Sequence, residues 1–96
     1  MNSTTPLYSA VFYFNIDAVN ALIKDGADIN ARDENGATPL HRAVFYFNKD
    51  DVNALIKAEA DINARDKNGA TPLKLANYYN NKDIIEILNR QHYHEK

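Results

Sequence analysis

The sequence predicts an all-α solenoid of three helix-turn-helix units joined by β-hairpin-like loops, because one motif recurs at a fixed spacing. A Thr-Pro-Leu triplet returns every 33 residues, beginning at Thr5, Thr38 and Thr71. Residues 1–33 and 34–66 are identical at 24 of 33 aligned positions. A unit of this size cannot bury its apolar face alone, so neighbouring units must stack. We therefore expect a single domain over residues 1–96, with repeats at approximately 2–33, 34–66 and 67–96.

The first helix of each repeat is predicted to begin at this triplet. In the middle repeat Thr38 suits the N-cap, and Pro39 takes the first helical position, where an N–H is not needed. Leu40 and Val44 then lie four residues apart on one apolar face. A small residue recurs where neighbouring first helices would need to approach closely, as Ala10, Ala43 and Ala76.

The second helix is predicted to follow an asparagine N-cap in each repeat, at Asn15, Asn48 and Asn81. An acidic residue lies in the first turn, where the helix dipole favours negative charge. Asn48 and Asp51 approximate a capping box. The predicted buried stripe of this helix is Val52, Leu55 and Ile56, matched by Val19, Leu22 and Ile23. In the first repeat Gly26 is expected to end the helix in the left-handed conformation.

The motifs resemble those of the ankyrin repeat. Residues 38–43, T-P-L-H-R-A, are similar to the T-P-L-H-x-A signature, and 33 residues is the ankyrin period. Residues 26–31, G-A-D-I-N-A, resemble the end of a repeat, and residues 33–38 and 66–71 resemble its D-x-x-G-x-T hairpin. The resemblance implies that His41 bonds within its own turn.

Three groups of residues depart from the family pattern. Glu59 stands where the first repeat has Gly26, and a non-glycine residue with positive φ costs about 1 kcal/mol there. Phe14, Phe47 and Asn80 stand where the family usually has glycine after the first helix. Ser9 and Arg42 replace a usual leucine, so we expect loose or partly polar packing beneath those helices.

The resemblance also implies where a partner would bind, because ankyrin repeats use their concave surface, hairpin residues and the exposed end of the first helix. The implied partner-binding residues are Phe12, Tyr13, Arg32, Glu34, Asn35, Phe45, Tyr46, Arg65, Lys67, Asn68, Tyr78 and Tyr79. Six of them are aromatic and would form a ladder flanked by Arg32 and Arg65. Aromatic side chains at exposed positions are enriched in binding hot spots. Duplication alone would also copy the Phe-Tyr-Phe run, and Phe14 and Phe47 could instead fill space between helices.

Composition favours a soluble globular protein over a disordered, membrane-spanning or nucleic-acid-binding one. A net charge of -2 argues against nucleic acid as a partner, and no apolar run approaches the roughly 20 residues that span a membrane. The chain has no cysteine, and its first residues do not form a signal peptide. We expect a cytoplasmic location, although a secreted effector would fit the same composition.

The sequence shows no motif for catalysis or for a cofactor. Its three glycines are isolated turn residues rather than a phosphate-binding loop. His92, His94 and Glu95 could ligate a metal, but no third histidine or cysteine lies nearby, so no metal site is predicted. The predicted function is a non-enzymatic module that binds a protein partner. The alternative is a structural role in which the same aromatic face makes a homo-oligomer, such as a homodimer.

Overall fold

Six helices form three antiparallel pairs in the computed structural model, which describes residues 6–94 and the side chains of residues 6–91. The helices are α1 (Pro6–Phe12), α2 (Ile16–Lys24), α3 (Pro39–Phe45), α4 (Lys49–Lys57), α5 (Pro72–Tyr78) and α6 (Lys82–His94). Within residues 6–94 there is no strand. The predicted all-α solenoid is confirmed.

The three helix pairs stack side by side. α3 packs between α1 and α5, and α4 packs between α2 and α6, so each layer contains one helix from every repeat. The alanine column predicted for close helix approach is buried throughout, at Ala10, Ala43 and Ala76. Around it the core contains mainly Leu and Val side chains such as Leu40 and Leu55. The core is thus continuous across all three repeats, as a solenoid requires.

The caps that the sequence predicts are present. Thr38 and Thr71 cap α3 and α5 through their side-chain oxygens. Asn15, Asn48 and Asn81 accept a backbone N–H in the first turn of α2, α4 and α6.

The capping box predicted for Asn48 and Asp51 is wrong in detail. The Asp51 carboxylate accepts from Nδ2 of the Asn48 side chain at 2.6 Å rather than from the Asn48 backbone. A reciprocal cap occurs instead at α3, where Nδ1 of His41 accepts from the Thr38 backbone N–H at 3.0 Å. The buried imidazole takes the place of the usual glutamate because its ring nitrogen can also reach back to the cap.

The loops between repeats are tight turns organised by aspartates. Oδ1 of Asp33 accepts from the backbone N–H groups of Asn35 and Ala37, and Asp66 does the same for Asn68 and Ala70. We call residues 33–37 and 66–70 the first and second hairpin loops. Within residues 6–94 they contain no ladder of paired strands. The backbone N–H of Lys67 donates to the Asn35 carbonyl at 2.9 Å, which joins the two loops.

Equivalent side chains also tie the first and second repeats to the hairpin loop that follows each of them. The buried Tyr8 hydroxyl is hydrogen-bonded to the carbonyls of Ala31 and Ala37. Nε2 of His41, the residue at the same repeat position, lies 2.7 Å from the carbonyl of Ala70. Burial and the negative charge of Asp33 raise the pKa of Tyr8 to about 12, so its hydroxyl remains a donor at neutral pH. The expected turn-internal bond of His41 is therefore present, and the same ring also joins two repeats.

Among residues 6–94, four non-glycine residues hold positive φ at helix ends: Phe14 (58°), Phe47 (60°), Glu59 (70°) and Asn80 (56°). At the position equivalent to Glu59, Gly26 has φ of 90°. The left-handed conformation anticipated for both residues is present. Because a β-carbon is crowded there, Glu59 carries a conformational cost that Gly26 avoids.

Replacing Glu59 with glycine is expected to raise the free energy of unfolding by about 1 kcal/mol. The substitution relieves the left-handed strain, and Glu59 is exposed, so little packing is lost. Urea unfolding of the wild type, Glu59→Gly and Glu59→Ala would measure the effect. The alanine variant keeps the β-carbon and should remain close to the wild type. If both variants were stabilised equally, the gain in unfolding free energy would come from removal of the Glu59 charge and not from relief of strain.

Candidate functional site

An aromatic surface extends over all three repeats at the ends of the first helices. It comprises Phe12, Tyr13, Phe14, Phe45, Tyr46, Phe47, Tyr78 and Tyr79. Among the described residues, every large hydrophobic side chain that is exposed belongs to this surface. The exposed fraction reaches 74% for Tyr13 and 79% for Tyr78. Exposed apolar side chains are therefore concentrated in one place rather than scattered.

Local backbone geometry explains why these rings face solvent. Each group occupies the last residue of a first helix and the turn after it, where the chain reverses direction into the second helix. In the middle repeat the N–H of Phe47 donates to the Val44 carbonyl and the N–H of Asn48 donates to the Ala43 carbonyl. These bonds close the end of α3 with Phe47 in the left-handed conformation. The turn therefore lies beyond the part of the helix that packs into the core.

Seven of these eight rings, all except Phe14, form one continuous edge-to-face series. Within the first repeat the Phe12 and Tyr13 centroids are 5.0 Å apart, and between repeats those of Phe12 and Tyr46 are 5.5 Å apart. The contact is repeated one unit later between Phe45 and Tyr79, at 5.7 Å. The Phe45–Tyr46 and Tyr78–Tyr79 pairs complete the series. Since offset and edge-to-face aromatic pairs are favourable, these contacts hold the exposed rings in a defined arrangement.

Two details differ from what the sequence suggested. Phe14 and Phe47 are exposed, at 56% and 53%, so they do not fill space between helices. Phe47 joins the surface through Tyr79, at a centroid distance of 6.4 Å. Tyr46 is only half-exposed and packs against the core. Phe14 and Phe47 are not among the partner-binding residues that the sequence predicts. An aromatic residue at a position where the family usually has glycine could have indicated that they are exposed.

The candidate hairpin residues are all exposed, and one of them, Arg32, also connects the two loops. Arg32, although exposed, donates through Nη1 to the carbonyls of Gly36 and Arg65, so its guanidinium braces the two loops. The side chains of Glu34, Asn35, Arg65, Lys67 and Asn68 are exposed.

A cleft of roughly 200 Å³ brings part of the hairpin set and part of the aromatic surface together. Its lining residues are Asn35, Ala37, His41, Arg42, Phe45, Asp66, Asn68, Leu75 and Tyr79. Four of the candidate partner-binding residues line this cleft: Asn35 and Asn68 from the hairpin loops, and the Phe45 and Tyr79 rings. Glu34, Arg65 and Lys67 do not line it. Asp66 and Leu75 were not candidates, and only a comparison of the repeats with each other could have singled them out.

Arg42 and Asp33 form a half-buried ion pair beside this cleft. Nε and Nη2 of Arg42 donate to Oδ2 of Asp33 at 3.1 and 2.6 Å. Burial alone would raise the pKa of Asp33, but the hydrogen bond from Arg42 and those from the loop N–H groups outweigh it and lower the pKa. The polar packing expected at Arg42 is present, and the pair neutralises both charges.

Two other features, a metal site and a membrane-spanning helix, can be compared with the described residues. Among its residues no group of three or more histidine, cysteine, aspartate and glutamate side chains is arranged to hold a metal ion. Over the same residues, no helix combines the length and the apolar character that crossing a bilayer requires. The side chains of His92, His94 and Glu95, weighed above as metal ligands, lie outside the described side chains.

Comparison with known proteins gives one positive match. A family model described as ankyrin repeats, in three copies, matches residues 10–96. No curated protein matches the chain. The matched range begins within α1 and includes the whole of the other five helices.

Proposed function

Since the chain belongs to the ankyrin-repeat family, whose members are generally protein-interaction modules, we propose that it binds a protein partner through the aromatic surface and the adjoining hairpin residues. The observation that carries the proposal is the continuous series of exposed rings across the three repeats. A contiguous apolar patch of this kind on a water-exposed face usually marks an interaction site. Family members are typically not enzymes, in keeping with the absence of a catalytic motif from the sequence.

Rigidity supports the same function. The ring contacts, the Arg32 brace and the hydrogen bonds from Tyr8 and His41 hold neighbouring repeats in a fixed relation. A preformed surface loses little conformational entropy when a partner binds. Phenylalanine and tyrosine add large contact areas with few rotatable bonds, so they suit such a surface.

Removing exposed rings should weaken partner binding by about thirtyfold or more, the effect of losing a hot spot worth about 2 kcal/mol. The test variant is Tyr13→Ser, Phe45→Ser and Tyr78→Ser together, because these rings are exposed whereas Tyr46 packs on the core. The partner would be isolated by proximity crosslinking and its affinity measured with purified proteins.

A matched control changes the opposite helix layer. Asn20, Asn53 and Glu86 are exposed residues of α2, α4 and α6, and their replacement by alanine should leave affinity unchanged. Equal binding by the ring variant and the wild type would reject the proposal, provided that both variants melt near the wild-type temperature.

Self-association through the same surface is the second candidate function, because an exposed apolar face can equally cover a copy of itself. Sedimentation over a wide concentration range separates the two functions. A wild type that dimerises, with a ring variant that stays a folded monomer, would favour the homo-oligomer. A wild type that remains monomeric leaves the surface free for another protein.

A further inference from the structure

Arg42 of the middle repeat neutralises Asp33, the aspartate of the hairpin loop that precedes this repeat. Oδ1 of Asp33 accepts two loop N–H groups, and Oδ2 accepts both Nε and Nη2 of Arg42. The guanidinium is half-buried, which shows that this position between two repeats accommodates it.

The hairpin loop before the third repeat keeps the aspartate, but the third repeat lacks the arginine. Oδ1 of Asp66 accepts from Asn68 and Ala70, each at 2.9 Å, as in the preceding loop. The residue equivalent to Arg42, 33 positions later, is Leu75. Among residues 6–91, no side chain donates to Oδ2 of Asp66. Asp66 lines the cleft, and its second carboxylate oxygen thus lacks the arginine donor that Asp33 has.

The surroundings of this oxygen repeat those of the filled site. The Phe45 and Tyr79 rings line the cleft and pair edge-to-face at 5.7 Å. Their equivalents, Phe12 and Tyr46, make the same contact at 5.5 Å, and Tyr46 lies close enough to Arg42 to act on its charge. Aromatic rings attract cations through their negative faces, so the rings that line the cleft with Asp66 also favour a cation.

The charges that line the cleft favour a cation. They belong to Asp66 and to Arg42, whose charge is compensated by Asp33 at 2.6 Å. The pKa of the lining histidine, His41, is lowered by burial, so its ring is neutral at neutral pH. Among the residues that line the cleft, Asp66 is therefore the charged side chain without an ion-pair partner.

We propose that this cleft accepts an arginine side chain of the protein partner, packed against the Phe45 and Tyr79 rings with its guanidinium on Asp66. The inference rests on the proposed function and specifies one residue of the partner. Arginine fits better than lysine because its planar fork donates two hydrogen bonds and stacks on rings, as Arg42 demonstrates within the chain.

The test uses capped tripeptides as probes: Ac-Gly-Arg-Gly-NH2, its lysine analogue and its uncharged citrulline analogue. They are titrated into the isotope-labelled full chain and followed by amide NMR. The arginine peptide should cause saturable shifts at the Asn68 and Ala70 amides, which contact Asp66, with millimolar affinity typical of a single side chain. The lysine peptide should bind more weakly, and the citrulline peptide should give no saturable shift.

Two variants locate the binding. Asp66→Asn keeps Oδ1 for the loop but removes the charge, and should weaken the arginine peptide by about three- to tenfold. Leu75→Arg reproduces the arrangement of the middle repeat and should abolish binding, whereas the uncharged control Leu75→Met should preserve it. If the Leu75→Arg variant does not fold, the effect of Asp66→Asn on arginine-peptide binding tests the inference by itself.

Equal shifts with the citrulline peptide, or no effect of Asp66→Asn, would overturn the inference. So would the absence of any saturable shift. Its failure is distinguishable from failure of the proposed function. Loss of partner binding in the ring variant without arginine-peptide binding would leave the function standing and remove only the arginine site. Unchanged partner binding in the ring variant would reject the function whatever the peptides do.

Discussion

His41→Ala is expected to lower the free energy of unfolding by about 3 kcal/mol, a large share of the stability of a small repeat protein. The ring is almost fully buried, accepts from the Thr38 N–H through Nδ1 and donates from Nε2 to Ala70 in the next loop. Alanine would leave the buried Thr38 N–H unpaired, remove one of the two hydrogen bonds to the Ala70 carbonyl and open a cavity. Urea unfolding measures the loss.

Two further variants identify which interaction of His41 causes the expected loss of stability. Lys74 occupies the same position in the third repeat and is exposed, so Lys74→Ala should change stability by less than about 0.5 kcal/mol. His41→Tyr should lose less than His41→Ala, because Tyr8 reaches the carbonyl of the next loop from the equivalent position. Similar losses for alanine and tyrosine would indicate that the Thr38 cap, rather than the link between repeats, carries the effect.

The same histidine should make stability depend on pH. Burial lowers the pKa of His41 in the folded chain below its usual 6.5, so between these two values the unfolded chain binds more protons. Its contribution is fully present above pH 6.5 and is lost as pH falls through the folded pKa. The difference in unfolding free energy between wild type and His41→Tyr should shrink over that window. A constant difference would contradict the lowered pKa.

Asp51→Asn should raise the free energy of unfolding by about 2 kcal/mol at neutral pH. Asp51 is fully buried in α4, and its Oδ1 has no hydrogen-bond partner among the described residues. Its repeat equivalents are apolar, Ala18 and Ile84, so the site needs no charge. Asparagine keeps the shape and an oxygen for the Asn48 amide while removing the buried charge. Exposed Asp50 is the control, and Asp50→Asn should have little effect.

The gain from Asp51→Asn should disappear in acid. Burial, with a contribution from the charge of Asp50, raises the pKa of Asp51 from 3.8 to about 6. The folded chain therefore retains a proton that the unfolded chain loses between these values, and wild-type stability falls as pH rises through them. Above about pH 6 the variant should be more stable by a constant amount, and below pH 3.8 the two should converge. A gain independent of pH would show that ionisation is not the cause.

The local elements of this protein were predictable because each depends on residues close together in the sequence. Thr38, Pro39 and the asparagine caps specify where helices begin, and the 33-residue period requires the units to stack. The left-handed conformation at Glu59 followed from its alignment with Gly26. The sequence likewise indicated which helix ends carry the aromatic rings.

Which polar groups meet between repeats was decided only by the tertiary structure. The bonds from Tyr8 to Ala37 and from His41 to Ala70 join residues 29 positions apart, and repeat spacing does not say which atoms come within reach. The same applies to the exposure of Phe47, the buried carboxylate of Asp51 and the open carboxylate of Asp66. Local pattern and period therefore determined the helices and their stacking. Packing between repeats determined which side chains are buried, paired or available to a partner, because burial and hydrogen bonding depend on neighbours that are distant in the chain.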